Sequence, residues 1–227
     1  MVGLELTRTE LKFLITYDEY TKLKHQLALL MRLDPHADSN THHYSISSVY
    51  FDDLYASRVS EKADGIEYHQ KFRLRSYSRD DVRLEYKTKV GVMTNKESLW
   101  VSEALMNAVL TGDEDTLFEH VSEPLIEDFV VRHRLDRLEP VLVIDYDREA
   151  YISDVGTVRI TFDKNITAYR YGSDKAFARR VHEPGLMVLE VKYTGLLPDS
   201  IRKIVFSQKL QVCSFSKYYM GWMLWFN

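Results

Sequence analysis

The chain has 227 residues, 45% of them hydrophobic and 28% charged, with 30 Lys and Arg against 34 Asp and Glu. A net charge of −4 excludes the global basic excess of a nonspecific nucleic-acid binder, so any anion site must be local. The single cysteine, Cys213, excludes an intrachain disulfide and a cysteine zinc cluster, and no run approaches the roughly 18 apolar residues of a membrane span.

This length fills one substantial core or at most two small ones, and with only nine Gly and five Pro nothing marks a linker, so a single domain over 1–227 is expected. Met1–Glu10 carries no apolar run of signal-peptide length, and cysteine usage fits a reducing cytoplasm. Alternation begins around Glu10. Thr16 with Glu19 then forms a capping box, and Tyr20, Leu23, Leu27, Leu30 and Met31 recur at helical spacing until Asp34-Pro35. Strand-like segments follow around Ser48, Lys71 and Glu85. A helix is predicted from Ser102 to Gly112, and another near Ser122-Glu123-Pro124, where Pro suits the first helical position. Strands return around Ile144, Arg159 and Glu190, a helix follows Pro198-Asp199, and the last begins near Ser214. Turns rather than regular helices separate the strands, so the class is α+β with a mostly antiparallel sheet.

Residues i and i+2 share a strand face. Lys71, Arg73, Arg75 and Tyr77 lie on one face with Phe72 and Leu74 on the other; Glu85, Lys87 and Lys89 oppose Leu84 and Tyr86. Glu10 and Lys12 oppose Leu11, Phe13 and Ile15. Arg159, Thr161 and Asp163 oppose Val158, Ile160 and Phe162, while Glu190 and Lys192 oppose Leu189, Val191 and Tyr193. Near residue 146 the split is less clean, since Tyr146 and Arg148 share a face with Ile144. Each strand alone reads as the solvent face of a sheet. Together the faces hold nine basic residues (Lys12, Lys71, Arg73, Arg75, Lys87, Lys89, Arg148, Arg159, Lys192) against four acidic ones (Glu10, Glu85, Asp163, Glu190). Three like charges stacked at Lys71, Arg73 and Arg75 repel unless an anion lies between them. A sheet curled with these faces inward would form a basic channel suited to a polyanion with many oxygens, and its carboxylates would suit Mg²⁺ or Mn²⁺.

These residues fall into ordered motifs: Arg8-Thr-Glu10-Leu-Lys12-Phe, Ser48-Val-Tyr-Phe-Asp52, Lys71-Phe-Arg73-Leu-Arg75, Glu85-Tyr-Lys87, Asp145-Tyr146-Asp-Arg148, Arg159-Ile-Thr-Phe-Asp163, Leu189-Glu190-Val-Lys192 and Phe215-Ser216-Lys217-Tyr218. In that order the chain resembles the VTC-type polyphosphate polymerase domain, a branch of the triphosphate tunnel metalloenzymes that also include CYTH-type triphosphatases and adenylyl cyclases. The resemblance implies an eight-stranded antiparallel barrel or tunnel with helices packed outside. It implies that Lys12, Arg73, Arg75, Lys87, Arg148 and Arg159 form the catalytic set on the phosphates. Lys71, Lys89, Lys96, Tyr146, Lys192, Ser216 and Lys217 would bind phosphate or nucleotide, with Ser216 and Lys217 on the terminal helix closing one tunnel end. Glu190 would ligate Mn²⁺ or Mg²⁺. Glu10, Glu85 and Asp163 are open between metal ligation and pairing with neighbouring cations. The implied reaction transfers the terminal phosphoryl group of ATP to polyphosphate, releasing ADP, in a cytoplasmic protein that a separate membrane protein could hold at the inner face of the membrane. Nucleic acid is not an expected partner, because exposed aromatics do not interleave the basic faces.

Arg8 stands where CYTH enzymes begin Glu-x-Glu-x-Lys, which favours the polymerase branch. Ser98 and Ser214 stand where polymerase relatives often carry cations. A metal-dependent triphosphatase and a non-catalytic polyphosphate or nucleotide binder are therefore the rival readings. His25, His36, His42, His43, His69, His120 and His133 read as exposed polar residues, Cys213 as a buried thiol, Asp52-Asp53 as a strand end or turn, and Tyr218, Trp222 and Trp225 as core.

Overall fold

The computed structural model describes residues 8–63, 65–66, 68–91, 93–153 and 157–226. In chain order the elements are β1 (Arg8–Thr16), α1 (Tyr17–Leu27), β2 (Arg32–Leu33), β3 (Tyr44–Asp52), α2 (Ser57–Ala63), β4 (Tyr68–Ser76), β5 (Val82–Val90), β6 (Met93–Trp100), α3 (Glu103–Thr111), α4 (Glu114–Glu119), α5 (Pro124–Asp136), β7 (Glu139–Ser153), β8 (Val158–Arg170), β9 (Arg179–Arg180), β10 (Leu186–Thr194), α6 (Asp199–Ser207) and α7 (Lys217–Phe226). Eight strands form one hydrogen-bonded path, β1-β10-β8-β7-β3-β4-β5-β6, with the two-residue strands β2 and β9 attached to β7 and β8. The resemblance implied eight strands, the number in this path, of which alternation along the sequence located all but β6. By contacts the chain divides into two compact units, 1–45 with 146–166 and 180–216, and 46–145 with 167–179 and 217–227.

In the first unit, alternation sends Phe13, Ile15, Ile160, Phe162, Leu189 and Val191 into a core closed by Tyr20, Leu23 and Leu27 of α1 and Ile201 and Val205 of α6. Each such side chain contributes about 1.5–3 kcal/mol on burial. Phe13 meets Phe206 edge-on at 6.2 Å, and Tyr20 meets Phe162 at 5.0 Å. The capping box starts α1 as predicted, with the Thr16 hydroxyl accepting from the Glu19 amide and the Glu19 carboxylate accepting from the Thr16 amide. The helix nevertheless ends at Leu27, short of Asp34-Pro35, because β2 pairs with β7 and the Asp34 amide donates to the Ala150 carbonyl. Leu30 is left exposed in a turn while Met31 reaches the core.

In the second unit, Phe72, Leu74, Leu84 and Tyr86 pack against Leu105 and Val109 of α3 and Leu125, Ile126 and Phe129 of α5. Phe129 stands edge-on to both Phe51 and Phe72, each at 5.4 Å. Ser102 caps α3 through the Leu105 amide and left-handed Gly112 ends it, while Pro124 opens α5. The short helices α2 and α4 and the edge strand β6 are additions to the sequence prediction: six- and seven-residue helices show too few turns for a period, and Met93–Trp100 alternates poorly.

Candidate functional site

Each unit carries its own cluster of the predicted charged residues. In the first unit the cluster is built by strand register. Lys12 on β1 lies opposite Glu190 on β10, and Glu10 opposite Lys192, so opposite charges alternate across the ladder. Lys12 Nζ lies 3.0 Å from Glu10 Oε1 and 3.8 Å from Glu190 Oε1, and Lys192 Nζ lies 3.0 Å from Glu190 Oε2 and 3.7 Å from Glu10 Oε2. Arg148 adds a guanidinium 3.9 Å from Glu190 Oε2. The Glu190 side chain is 7% exposed. Burial would raise its pKa, yet Lys192, the hydrogen-bonding Glu10 carboxyl, Lys12 and Arg148 together hold it well below the usual carboxylate range. Burial conversely lowers the Lys192 ammonium, against the pull of Glu190 and Glu10.

Beside them Asp163, fully buried, takes two parallel hydrogen bonds from Arg148 Nε and Nη2 at 2.7 and 2.8 Å. This fork fixes the guanidinium plane. Tyr146 places its ring 5.3 Å from the same guanidinium. Arg159, across β8 and β10 from Lys192, donates to buried Asp34 at 2.5 Å and to the Tyr44 hydroxyl at 3.1 Å. Neither Asp34 nor Tyr44 was singled out by the sequence: Asp34 reads as a helix stop, and nothing in its neighbours marks a partner 125 residues away. Lys12 also donates to the Phe215 carbonyl at 3.2 Å, next to Ser216.

The second cluster lies on β3 to β6. Register sets Lys71 opposite Lys87 and Lys87 opposite Lys96, a row of three lysines across three strands, and the next row sets Arg73 opposite Glu85. Glu85 is the anion that the stacked cations demanded. Its Oε2 accepts from Arg73 Nε at 2.6 Å and lies 3.9 Å from Arg75, and its Oε1 accepts from Lys96 at 2.6 Å. Burial raises the Glu85 pKa, but Arg73, Arg75 and Lys96 reverse this and bring it down to about 2. Asp34, not counted from sequence, pairs with Arg159 and so adds a fifth carboxylate to the four already set against these cations. Arg75 Nε donates to Ser48 Oγ at 3.3 Å, while Lys87 and Lys89 are exposed.

Tyr50 is the functional candidate that sequence reasoning missed here. Its hydroxyl accepts from Arg73 Nη1 at 3.1 Å. Burial pushes that hydroxyl up, and Arg73, Arg75 and Lys217 more than reverse it, to about 8. The sequence signal was the Tyr at 50 within Ser48-Val-Tyr-Phe-Asp52, two residues from Ser48 and on its face. Lys217 is the first residue of α7, and Ser216 precedes the helix rather than lying on it.

Among the described residues no group of three His, Cys, Asp or Glu is arranged to hold a metal. Mg²⁺ and Mn²⁺ need less than this when phosphate oxygens complete the shell, since one or two carboxylates then suffice. Glu190 and Glu10, converging with both lysines between them, fit that donor set. Glu85 and Asp163 fit it less well, because Arg and Lys hold both oxygens of each at 2.6 to 2.8 Å, whereas one oxygen of Glu10 lies 3.7 Å from Lys192 and one of Glu190 lies 3.8 Å from Lys12. Cys213 is half-buried rather than buried, its amide donating to the Lys12 carbonyl. His133 and His120 are half-buried, each with Nδ1 within hydrogen-bond distance of a backbone carbonyl.

The model of the family described as VTC domain matches residues 7–226. The chain belongs to the VTC domain family. Among solved structures, this VTC-family chain is similar to a candidate adenylate cyclase from Bacillus halodurans, with TM-score 0.52 and 11% identity over 98% of each chain. It is also similar to a candidate adenylyl cyclase from Hippeastrum with a dominant triphosphatase activity, with TM-score 0.52 and 12% identity over 92% of each chain. At such identities the likeness is one of fold, the tunnel fold that the motifs implied. No curated protein matches the chain. No described helix of this VTC-family chain is long and apolar enough to cross a membrane.

Proposed function

We propose that the chain is a metal-dependent polyphosphate polymerase that transfers the terminal phosphoryl group of ATP to inorganic polyphosphate. A terminal oxygen of the polyphosphate attacks the γ-phosphorus, the bond from that phosphorus to the β–γ bridging oxygen breaks, and ADP leaves with the electron pair. Catalysis of this kind is mostly positioning and charge stabilisation, so cations suffice. Lys12, Arg148, Arg159 and Lys192 in one cluster and Lys71, Arg73, Arg75, Lys87, Lys96 and Lys217 in the other supply them, with Lys89, Tyr146 and Ser216 as further contacts. Glu190 with Glu10 would hold Mg²⁺ or Mn²⁺, which supplies charge neutralisation on phosphate oxygens. Asp163, Glu85 and Asp34 act on the guanidiniums, fixing Arg148, Arg73 and Arg159 in orientation.

One observation carries the choice of acceptor. Glu85 is clamped by Arg73 and Lys96 with Arg75 beside it, and Glu190 lies among Lys192, Lys12 and Arg148; these cations hold both carboxylates below their usual range and make them weak proton acceptors. Water needs a base or an orienting group; a polyphosphate end is already anionic near neutral pH and needs neither. The family match supports the same reading. Phosphorus NMR of the chain with ATP, Mg²⁺ and a short polyphosphate primer tests it. Growth of internal polyphosphate signals with ADP is expected, and Glu190→Gln should lower the rate by at least about a hundredfold, the scale of one lost electrostatic contact in a transition state. Retention of full activity in that variant would remove Glu190 from the metal site.

A further inference from the structure

The sequence gives Asp52 as the end of a strand and Tyr218 as core, and neither enters the phosphate chemistry above. In the structure they meet. Tyr218 Oη donates to Asp52 Oδ2 at 2.5 Å, with Tyr218 2% and Asp52 1% exposed. The other oxygen of Asp52 accepts from the Asp53 and Arg58 amides at 2.9 and 3.0 Å, so the carboxylate is held by the start of α2 before Tyr218 reaches it. Tyr218 is the second residue of α7 and follows Lys217 directly.

The rest of α7 is seated independently. A Cβ on Gly221 would lie 2.7 Å from Ile144 Cδ1 and 2.9 Å from Leu142 Cδ2, so the helix rests on β7 at its closest approach. Further along, Trp225 Nε1 donates to the Ala168 carbonyl at 2.9 Å. These contacts fix the depth of the helix. The phenol of Tyr218 adds a directional tether in the first turn, one residue from Lys217. Its ring stacks on Tyr50 at 5.0 Å and 21°, and Lys71 Nζ lies 5.4 Å from its centroid. Tyr50 in turn accepts from Arg73. The residue next to Lys217 in the chain thus packs on Tyr50 and Lys71 and, through Tyr50, is linked to Arg73.

We infer that the Asp52–Tyr218 hydrogen bond sets Lys217 against the Tyr50–Arg73 pair, making Asp52 and Tyr218 positioning residues for phosphate binding. This rests on the proposed role of Lys217 and Arg73 in holding phosphate. The depressed Tyr50 hydroxyl, to which Lys217 contributes, agrees with that placement. Removing only the phenol oxygen leaves the ring stack and the two amides on Asp52, so a loss would appear in how well Lys217 is placed.

The test is a double-mutant cycle read by calorimetric binding of inorganic tripolyphosphate to the full chain, using wild type, Tyr218→Phe, Lys217→Ala and the double variant. Tyr218→Phe should weaken binding about fivefold, the scale of coupling within one network, and should add no further loss when Lys217 is already Ala. Losses that multiply, or Tyr218→Phe binding like wild type with only a lower melting temperature, would overturn the inference while leaving the phosphate site standing. Absence of tripolyphosphate binding by wild type would instead overturn the proposed function itself. Should Tyr218→Phe not fold, Asp52→Asn runs through the same cycle with the same expected non-additivity.

Discussion

Tyr50 shows how a residue of ordinary type acquires a working property from its neighbours. A phenol titrates near 10 when free, and here Arg73, Arg75 and Lys217 overcome burial and bring it to about 8. Below that pH Tyr50 is neutral and hydrogen-bonded to Arg73; above it, a phenolate cancels one nearby cation. Affinity for tripolyphosphate should therefore fall as pH rises through about 8, by about three- to tenfold, the scale of one partly screened charge. Titrations across pH 7–9 check this, and Tyr50→Phe should abolish the fall. The charged partners of the predicted cations were half legible. Glu85 and Glu190 declared themselves by sharing a face with Lys and Arg, whereas Asp34 and Tyr44 reach Arg159 only through loop geometry. Glu149 was not legible either: by alternation it continues the polar face of Asp145 and Asp147, yet it is fully buried, with Tyr20, Tyr151 and Lys164 bonding its oxygens.

At the scale of elements, local signals were reliable where a single side chain decides a boundary. Ser102, Gly112, Thr16 and Pro124 each end or begin a helix for a reason written within three or four residues. The early end of α1 had no such signal, because it depends on β2 pairing with β7, a contact more than 100 residues away. Strands with one clean apolar face were found, and β6 was not, since its neighbour β5 rather than its own pattern holds it in place. α7 carries the sharpest packing constraint. Gly221→Ala forces a methyl to within 3.0 Å of three side-chain atoms. Overpacking of this kind costs about 1–3 kcal/mol, more than the helix gains from Ala over Gly. Thermal unfolding should show a melting temperature lower by a few degrees, roughly 2–4 °C per kcal/mol at this size. An unchanged or raised value would show that the helix can shift away from β7.

For the whole molecule, a chain of net charge −4 displays rows of cations on the polar faces of its strands, and its own carboxylates balance only part of them. The order of the motifs made the family legible before any coordinates, because strand register carries cations and carboxylates at fixed intervals of two. The acceptor of the phosphoryl group was less legible in that pattern: Arg8 in the first motif favours the polymerase branch, while the cations themselves would serve either acceptor. The decisive measurement is to incubate the purified chain with ATP, Mn²⁺ and a short polyphosphate seed, resolve the products on a gel, and assay free phosphate in the same reaction. The account predicts ladders of lengthening polyphosphate, ADP in step with them, and little free phosphate. Free phosphate released in step with ADP, with no ladder, would contradict it and make water the acceptor.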